Sequence, residues 1–217
     1  MNDHIRESIE QIQTSKRELV AQMFVVFVVP ILAIYYGFVP ATYRIWVLAV
    51  VMTLFILLLM QEKWTRDMLG LGRHRIKKYA LPYIIFTAVA VFAIVYFGEK
   101  IGREELASWW KHSHFLYKFF LVSLFQEVGY RAYLIPALGK LVKKPVFIVT
   151  LNAILFTLLH IIFPDPMIGL PLAFVGGLGF ALMYLEYPSL ILIVLSHSVI
   201  NFLVVLYGFF VIPGVTY

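Results

Sequence analysis

Cysteine is absent from the 217 residues. That excludes disulfides, a thiol nucleophile and any thiolate metal site. Charge is scarce: Asp, Glu, Lys and Arg make up 14% of the chain, where a soluble domain carries nearer a quarter. The first eighteen residues are polar and mixed in charge, so the start of the chain lacks the apolar core of a signal peptide. No internal repeat and no low-complexity segment is evident, which argues against the paired broken helices of many secondary transporters.

What the chain has is apolar sequence. Hydrophobic residues make up 62%, and the mean hydropathy is +0.88. This composition predicts an all-α polytopic membrane bundle of seven or eight spans, a single membrane-embedded domain over 1–217. The net charge of +6 reads as loop lysine and arginine rather than a nucleic-acid surface. Within 1–18, Ile5, Ile9 and Ile12 fall at helical spacing, which predicts a short interfacial helix. Spans follow at Leu19–Val39, Ile45–Met60, Tyr79–Gly98, Phe119–Gly139, Pro145–Phe163 and Met167–Leu185. A last span lies within the charge-free run Tyr187–Tyr217, with Pro213-Gly214 expected to end it. Pro30 is expected to kink the first span. Ala173, Gly177 and Ala181 form a small-residue stripe at four-residue spacing, which lets a neighbouring helix approach closely. Lys and Arg are concentrated in the loops on the amino-terminal side, favouring that side as cytoplasmic.

The informative residues are the few polar ones at membrane depth. Gln126, Glu127 and Arg131 sit within Phe119–Gly139. Glu127 and Arg131 are four apart, hence on one helix face. A charged pair at this depth is costly, and is either a packing device or the floor of a site. The fifth span carries Asn152 and His160; the seventh carries Ser196, His197, Ser198 and Asn201. Three helices thus each present a polar face. If the faces converge, a carboxylate and two imidazoles could activate a water. Two His and one Glu are also a zinc ligand set, so His160 and His197 are candidate metal ligands and zinc a candidate cofactor. Asn201 is suited to stabilise an oxyanion, and Arg131 to hold a carboxylate or a substrate carbonyl. Taken singly, each histidine could equally be hydrogen-bonded packing, and Asn152 reads better as packing than as chemistry.

Together these motifs resemble the CPBP family, the CAAX protease and bacteriocin-processing intramembrane endopeptidases, also called Abi proteins. The family pattern is Glu-Glu-x-x-x-Arg, Phe-x-x-x-His and His-x-x-x-Asn or Asp. Here Gln126-Glu127-x-x-x-Arg131, Phe156-x-x-x-His160 and His197-x-x-x-Asn201 follow in that order across roughly 115–208. The resemblance implies hydrolysis of a peptide bond in a membrane-associated peptide or protein precursor, inside a lipid bilayer. It makes Gln126 and His160 the water-activating positions. Glu127 and Arg131 orient the site and meet substrate, and His197 and Asn201 form the oxyanion side. Compact loops suggest a prokaryotic plasma membrane. The departure is Gln126, where the family has the glutamate that takes the water's proton. Either the glutamine is a deliberate change that traps an inactive protein, or this member is naturally weak or dead; the intact remaining motifs favour the first. A non-catalytic immunity or peptide-binding protein, and a proton or ion carrier, remain as alternatives.

One geometric condition stands on this reading. Straight helices with these bounds put Glu127, His160 and His197 at different depths. Convergence needs the seventh span to slide along its surplus length, or the Pro164-Asp165-Pro166 turn to lie in a funnel below the membrane surface.

Overall fold

The computed structural model describes residues 1–111, 118–163 and 165–210. Among them, helix is the regular structure, in eight helices. Helix α1 is Asp3–Gln11. Asn2 caps it, accepting a hydrogen bond from the His4 backbone N–H. Ile5 on it and Ile12 just beyond it are buried. Ile9 sits so close over Gly139 that a Cβ there would lie 2.3 Å from its Cδ1. The amino-terminal segment is therefore docked on the end of the bundle. Asn2 ties it further, its backbone N–H donating to Leu185 O at 3.3 Å and its side chain to Glu186 O at 3.1 Å.

Helix α2, Lys16–Tyr35, starts before the expected Leu19. A capping box sets the start: Ser15 Oγ accepts from Glu18 N–H, and the Glu18 carboxylate accepts from Ser15 N–H. The turn Phe24–Val28 is a wide π turn. It lies just ahead of Pro30, whose ring would otherwise press on the carbonyl of residue 26. Helix α3 is Arg44–Gln61 and α4 is Arg73–Lys100. Helix α4 extends past the expected Tyr79–Gly98 at both ends, because Arg73, Arg75, Lys77 and Lys78 continue the helix beyond the apolar stretch.

Helix α5 covers residues 119–141 in three consecutive segments, Phe119–Glu127, a π segment Val128–Tyr133, and Leu134–Leu141. Helix α6, Pro145–Ile162, finishes in a tight 3₁₀ turn, Leu159–Ile162, that carries His160. Helix α7 is Pro166–Glu186 and α8 is Leu190–Leu206. Five of these, α2, α3, α4, α6 and α7, are long and apolar enough to cross a membrane; α8 is apolar but shorter. The chain is a multi-pass helical membrane protein.

The seventh span is the one that slides. It begins at Leu190, capped by Ser189, and ends well before Pro213-Gly214, which lies outside the described residues. Gly208, at φ +63, closes it. Gly208 N–H bonds Val205 O and Phe209 N–H bonds Val204 O, the paired bonds of a Schellman end. Pro164 also lies outside the described residues, so the turn it was expected to form is not placed.

Helix α8 packs along α4 and α5, and α6 packs most intimately on α7. Gly177 makes the α6–α7 contact possible: a Cβ there would sit 3.1 Å from both Ala153 Cα and a Phe156 ring carbon. Gly177→Val should therefore lower stability by about 1–3 kcal/mol, as overpacking does. Gly176→Ala, whose nearest neighbour is a Phe180 ring atom at 4.0 Å, should leave it unchanged or higher. Thermal melting in detergent compares the two.

The docked α1 is also sensitive to acid. His4 Nδ1 lies 3.1 Å from Arg75 Nη2, and Arg75 in turn pairs with Asp67 at 2.8 Å. Burial, then the Arg75 guanidinium, lower His4 from its usual 6.5 to about 4, against an opposing pull from Asp67. The unfolded chain takes up this proton first, so the stability tied to His4 is complete above about pH 6.5 and is lost as pH falls toward 4. Hydrogen exchange within Asp3–Gln11 should speed up across that window, beyond the change in intrinsic rate. A His4→Gln chain should lack that step.

Candidate active site

Local geometry in α5 positions the first motif. The π segment begins at Val128, directly after Glu127. Such wide turns inside α-helices are frequent at functional sites. Asn152 on α6 donates from Nδ2 to Tyr130 O at 2.5 Å, so it locks α6 onto the π segment. Gly129 admits the Phe55 ring from α3, where a Cβ would lie 2.5 Å from Cε2.

Gln126 and Glu127 are neighbours, so about 100° separates them around the helix, and they face different surroundings. Gln126 lines a cavity of about 210 Å³, together with His160 and Asn201. The rest of its wall is largely apolar, from α2 and α3 (Phe27, Val51 and Phe55 among others), with Tyr130 from α5. Arg44 and Lys118 also line it. Glu127 instead points away from it. Its Oε1 is 2.5 Å from His197 Nδ1 and its Oε2 is 3.3 Å from Arg131 Nε. A carboxylate accepts only, so the His197 proton sits on Nδ1 and Nε2 is left as the ring's outward nitrogen.

Arg131, expected to meet substrate, is fully buried and is not among the residues lining the cavity. Its contact with Glu127 is off line for a hydrogen bond, and among the described residues its three guanidinium nitrogens have no hydrogen-bond partner. Aromatic faces surround it instead: its Cζ lies 4.5 Å from the Phe156 ring centre, 5.3 Å from Phe180 and 5.9 Å from Tyr130. Cation–π contact of this kind is worth about 2 kcal/mol or more when desolvated.

His160 is held from within its own helix, its Nδ1 3.0 Å from Phe156 O. The Phe156 ring touches both imidazoles, 4.9 Å from His160 and 5.7 Å from His197. Phe210 covers the other side of His160 at 4.9 Å. Asn201 donates from Nδ2 to Ser123 Oγ at 3.1 Å. The three polar faces do come together, in two connected layers: Gln126, His160 and Asn201 at the cavity, and Glu127, His197 and Arg131 outside its lining. Ser196 and Ser198 serve packing. Ser196 bonds Thr87 on α4, and Ser198 bonds back to Val194 O.

Three site residues escaped the sequence reading. Ser123 had a signal, being four residues before Glu127 on the same face. Tyr130 and Phe180 had none, because apolar and aromatic residues in a span look alike until the helices are packed.

Each histidine has its Nδ1 engaged, leaving Nε2 outward. Among the described residues, no group of three or more His, Asp or Glu comes together to hold a metal ion. The donors fall short of a three-ligand catalytic zinc set.

Residues 108–203 match the family described as type II CAAX prenyl endopeptidase Rce1-like. That stretch is similar to the CAAX-protease family and covers somewhat under half of the chain. The matched stretch holds all three motifs. Neither a curated protein nor a solved structure matches the chain.

The buried layer gives a test. Removing Arg131 leaves Glu127 buried without its cation, which typically costs about 3–5 kcal/mol. Arg131→Ala should therefore melt far below the parent in detergent. Asn201→Ala, at the half-buried cavity wall, should melt near it. An Arg131→Ala chain as stable as the parent would contradict the buried pairing.

Proposed function

We propose that the chain is an intramembrane endopeptidase scaffold acting on a membrane-associated peptide or protein precursor in a prokaryotic plasma membrane. In this reading Gln126 occupies the position of the catalytic base. The observation that carries it is the meeting of Gln126, His160 and Asn201 on one largely apolar cavity. An extended apolar peptide fits such walls, and the polar residues supply what hydrolysis of its backbone needs.

With glutamate at 126, the carboxylate and His160 Nε2 would share a water between them. The carboxylate takes the water's proton as the oxygen attacks the peptide carbonyl carbon. The oxygen of the tetrahedral intermediate accepts from the Asn201 amide, on the side where His197 stands. The proton held at 126 then passes to the leaving amine, the C–N bond breaks, and the two peptides depart. Glu127 holds the His197 tautomer, and Arg131 holds Glu127. Arg131 thereby acts through Glu127 rather than on substrate.

Glutamine is close in shape but cannot take the proton. As it stands, the chain binds substrate and turns it over slowly or not at all. The same residue favours a second reading, a membrane protein that binds a peptide without cutting it. Gln126→Glu separates the two. A restored general base is worth about 10²–10⁴-fold in rate, so cleavage of a panel of apolar membrane peptides should rise by that factor. His160→Ala in the same background should abolish the gain. A Gln126→Glu chain that binds a peptide of the panel tightly, yet leaves all of them intact, would decide for the binder.

A further inference from the structure

Phe180 lies on α7, the one helix of residues 119–206 that carries none of the three motifs, and it touches the buried layer twice. Its ring centre is 4.5 Å from that of His197, with the planes 34° apart. On the same ring, the Arg131 Cζ lies 5.3 Å from the centre. Phe180 is 2% exposed, so neither lipid nor the cavity competes for it. It is itself held from behind: Phe86 on α4 packs against it edge-on at 5.5 Å. That approach depends on Gly179, where a Cβ would lie 2.9 Å from a Phe86 ring carbon. Glycine at 177, on the same helix, lets Phe156 close on the other side of the same layer.

An imidazole held by one hydrogen bond, Nδ1 to Glu127, can still rotate about its own axis. A ring packed on its face at a tilt of 34° restricts that freedom. Phe156 meets His197 from another side, ring centres 5.7 Å apart and planes at 62°, so the imidazole is boxed by two rings and one carboxylate. Of the two, Phe180 makes the closer and more nearly parallel contact. The same ring shares the Arg131 cation with Phe156, and so fixes the residue that holds Glu127.

We infer that Phe180 is a positioning residue, acting through His197 and Arg131 to keep His197 in one orientation with its proton on Nδ1. In calling His197 part of the reactive side, the inference rests on the peptidase reading above. Its test needs no cleavage, so a failed peptidase leaves it readable.

The test is ¹⁵N NMR of histidine-labelled full-length protein in detergent, with the His197 signals identified by their loss in His197→Gln. The parent should show a single Nδ1–H form for His197. Phe180→Tyr, which keeps the ring, should retain it. Phe86→Leu, which disturbs the packing behind Phe180 without removing the ring from His197, should retain it too. Phe180→Leu should lose the single form and show both tautomers. A Phe180→Leu protein with the parent's His197 signals would overturn the inference. So would a Phe86→Leu protein disturbed as much as Phe180→Leu, since that marks general packing. If Phe180→Leu does not accumulate, Phe180→Met is read in the same way. Failure of both to accumulate, with Phe86→Leu accumulating, would assign Phe180 to core packing alone and overturn the inference.

Discussion

A guanidinium inside a membrane protein cannot discard its charge, because it stays protonated under any accessible condition. Arg131 is such a group, fully buried, and the second half of the chain is arranged around it. Glu127 on its own helix supplies the countercharge at 3.3 Å. Phe156 from α6 and Phe180 from α7 supply aromatic faces. Glu127 then reaches α8 through His197. One cation thus draws four helices to a common point. Breaking any of these contacts leaves a charge stranded, and the cost of a stranded charge is what makes the arrangement specific.

Partnering a cation mainly with rings demands close helix approach, since rings satisfy it only at short range. Glycine provides that approach where it counts. Gly177 lets α6 and α7 meet with Phe156 between them, and Gly129 lets Phe55 fold over the π segment. The small-residue stripe and the buried charge are therefore parts of one solution. The π segment belongs to it as well. It follows Glu127 and is pinned by Asn152 on Tyr130 O, so the wide turn is held by a side chain from the helix it packs against.

Much of this was legible in the sequence. Every apolar run holds a helix, since apolar length and flanking charge are local signals, but α4 starts six residues before its expected Tyr79 and α8 ends well before Pro213-Gly214. The motif residues were legible too, because polar groups stand out in spans that are otherwise apolar. The start of α2 was missed because the Ser15–Glu18 capping box sits before the apolar run. The docking of α1 was missed because amphipathic spacing looks the same for a lipid surface and for the end of a bundle; Ile9 over Gly139 decides it only in three dimensions. Glu127 and His197 meet at 2.5 Å because α8 starts at Leu190 and ends at Leu206. The convergence of the three polar faces was an expectation of the sequence; their division into two layers was not. The turn of about 100° between Gln126 and Glu127 assigns them to two layers.

That division bears on residue 126. Arg131 is committed to Glu127, and Gln126 faces a largely apolar cavity whose polar lining includes His160 and Asn201. A carboxylate placed there would be partly taken out of water, with Arg44 and Lys118 the cations that line the same cavity, and desolvating a charge is costly unless it is paired. A carboxamide keeps nearly the same shape and carries no charge. Glutamine at this position therefore puts no charge on the cavity wall and leaves the buried layer untouched. Proteins commonly give up stability to hold a reactive group in place, and regain it when that group is neutralised. With glutamine at 126 the half-buried cavity wall carries a neutral side chain of the same shape, beside the cations Arg44 and Lys118.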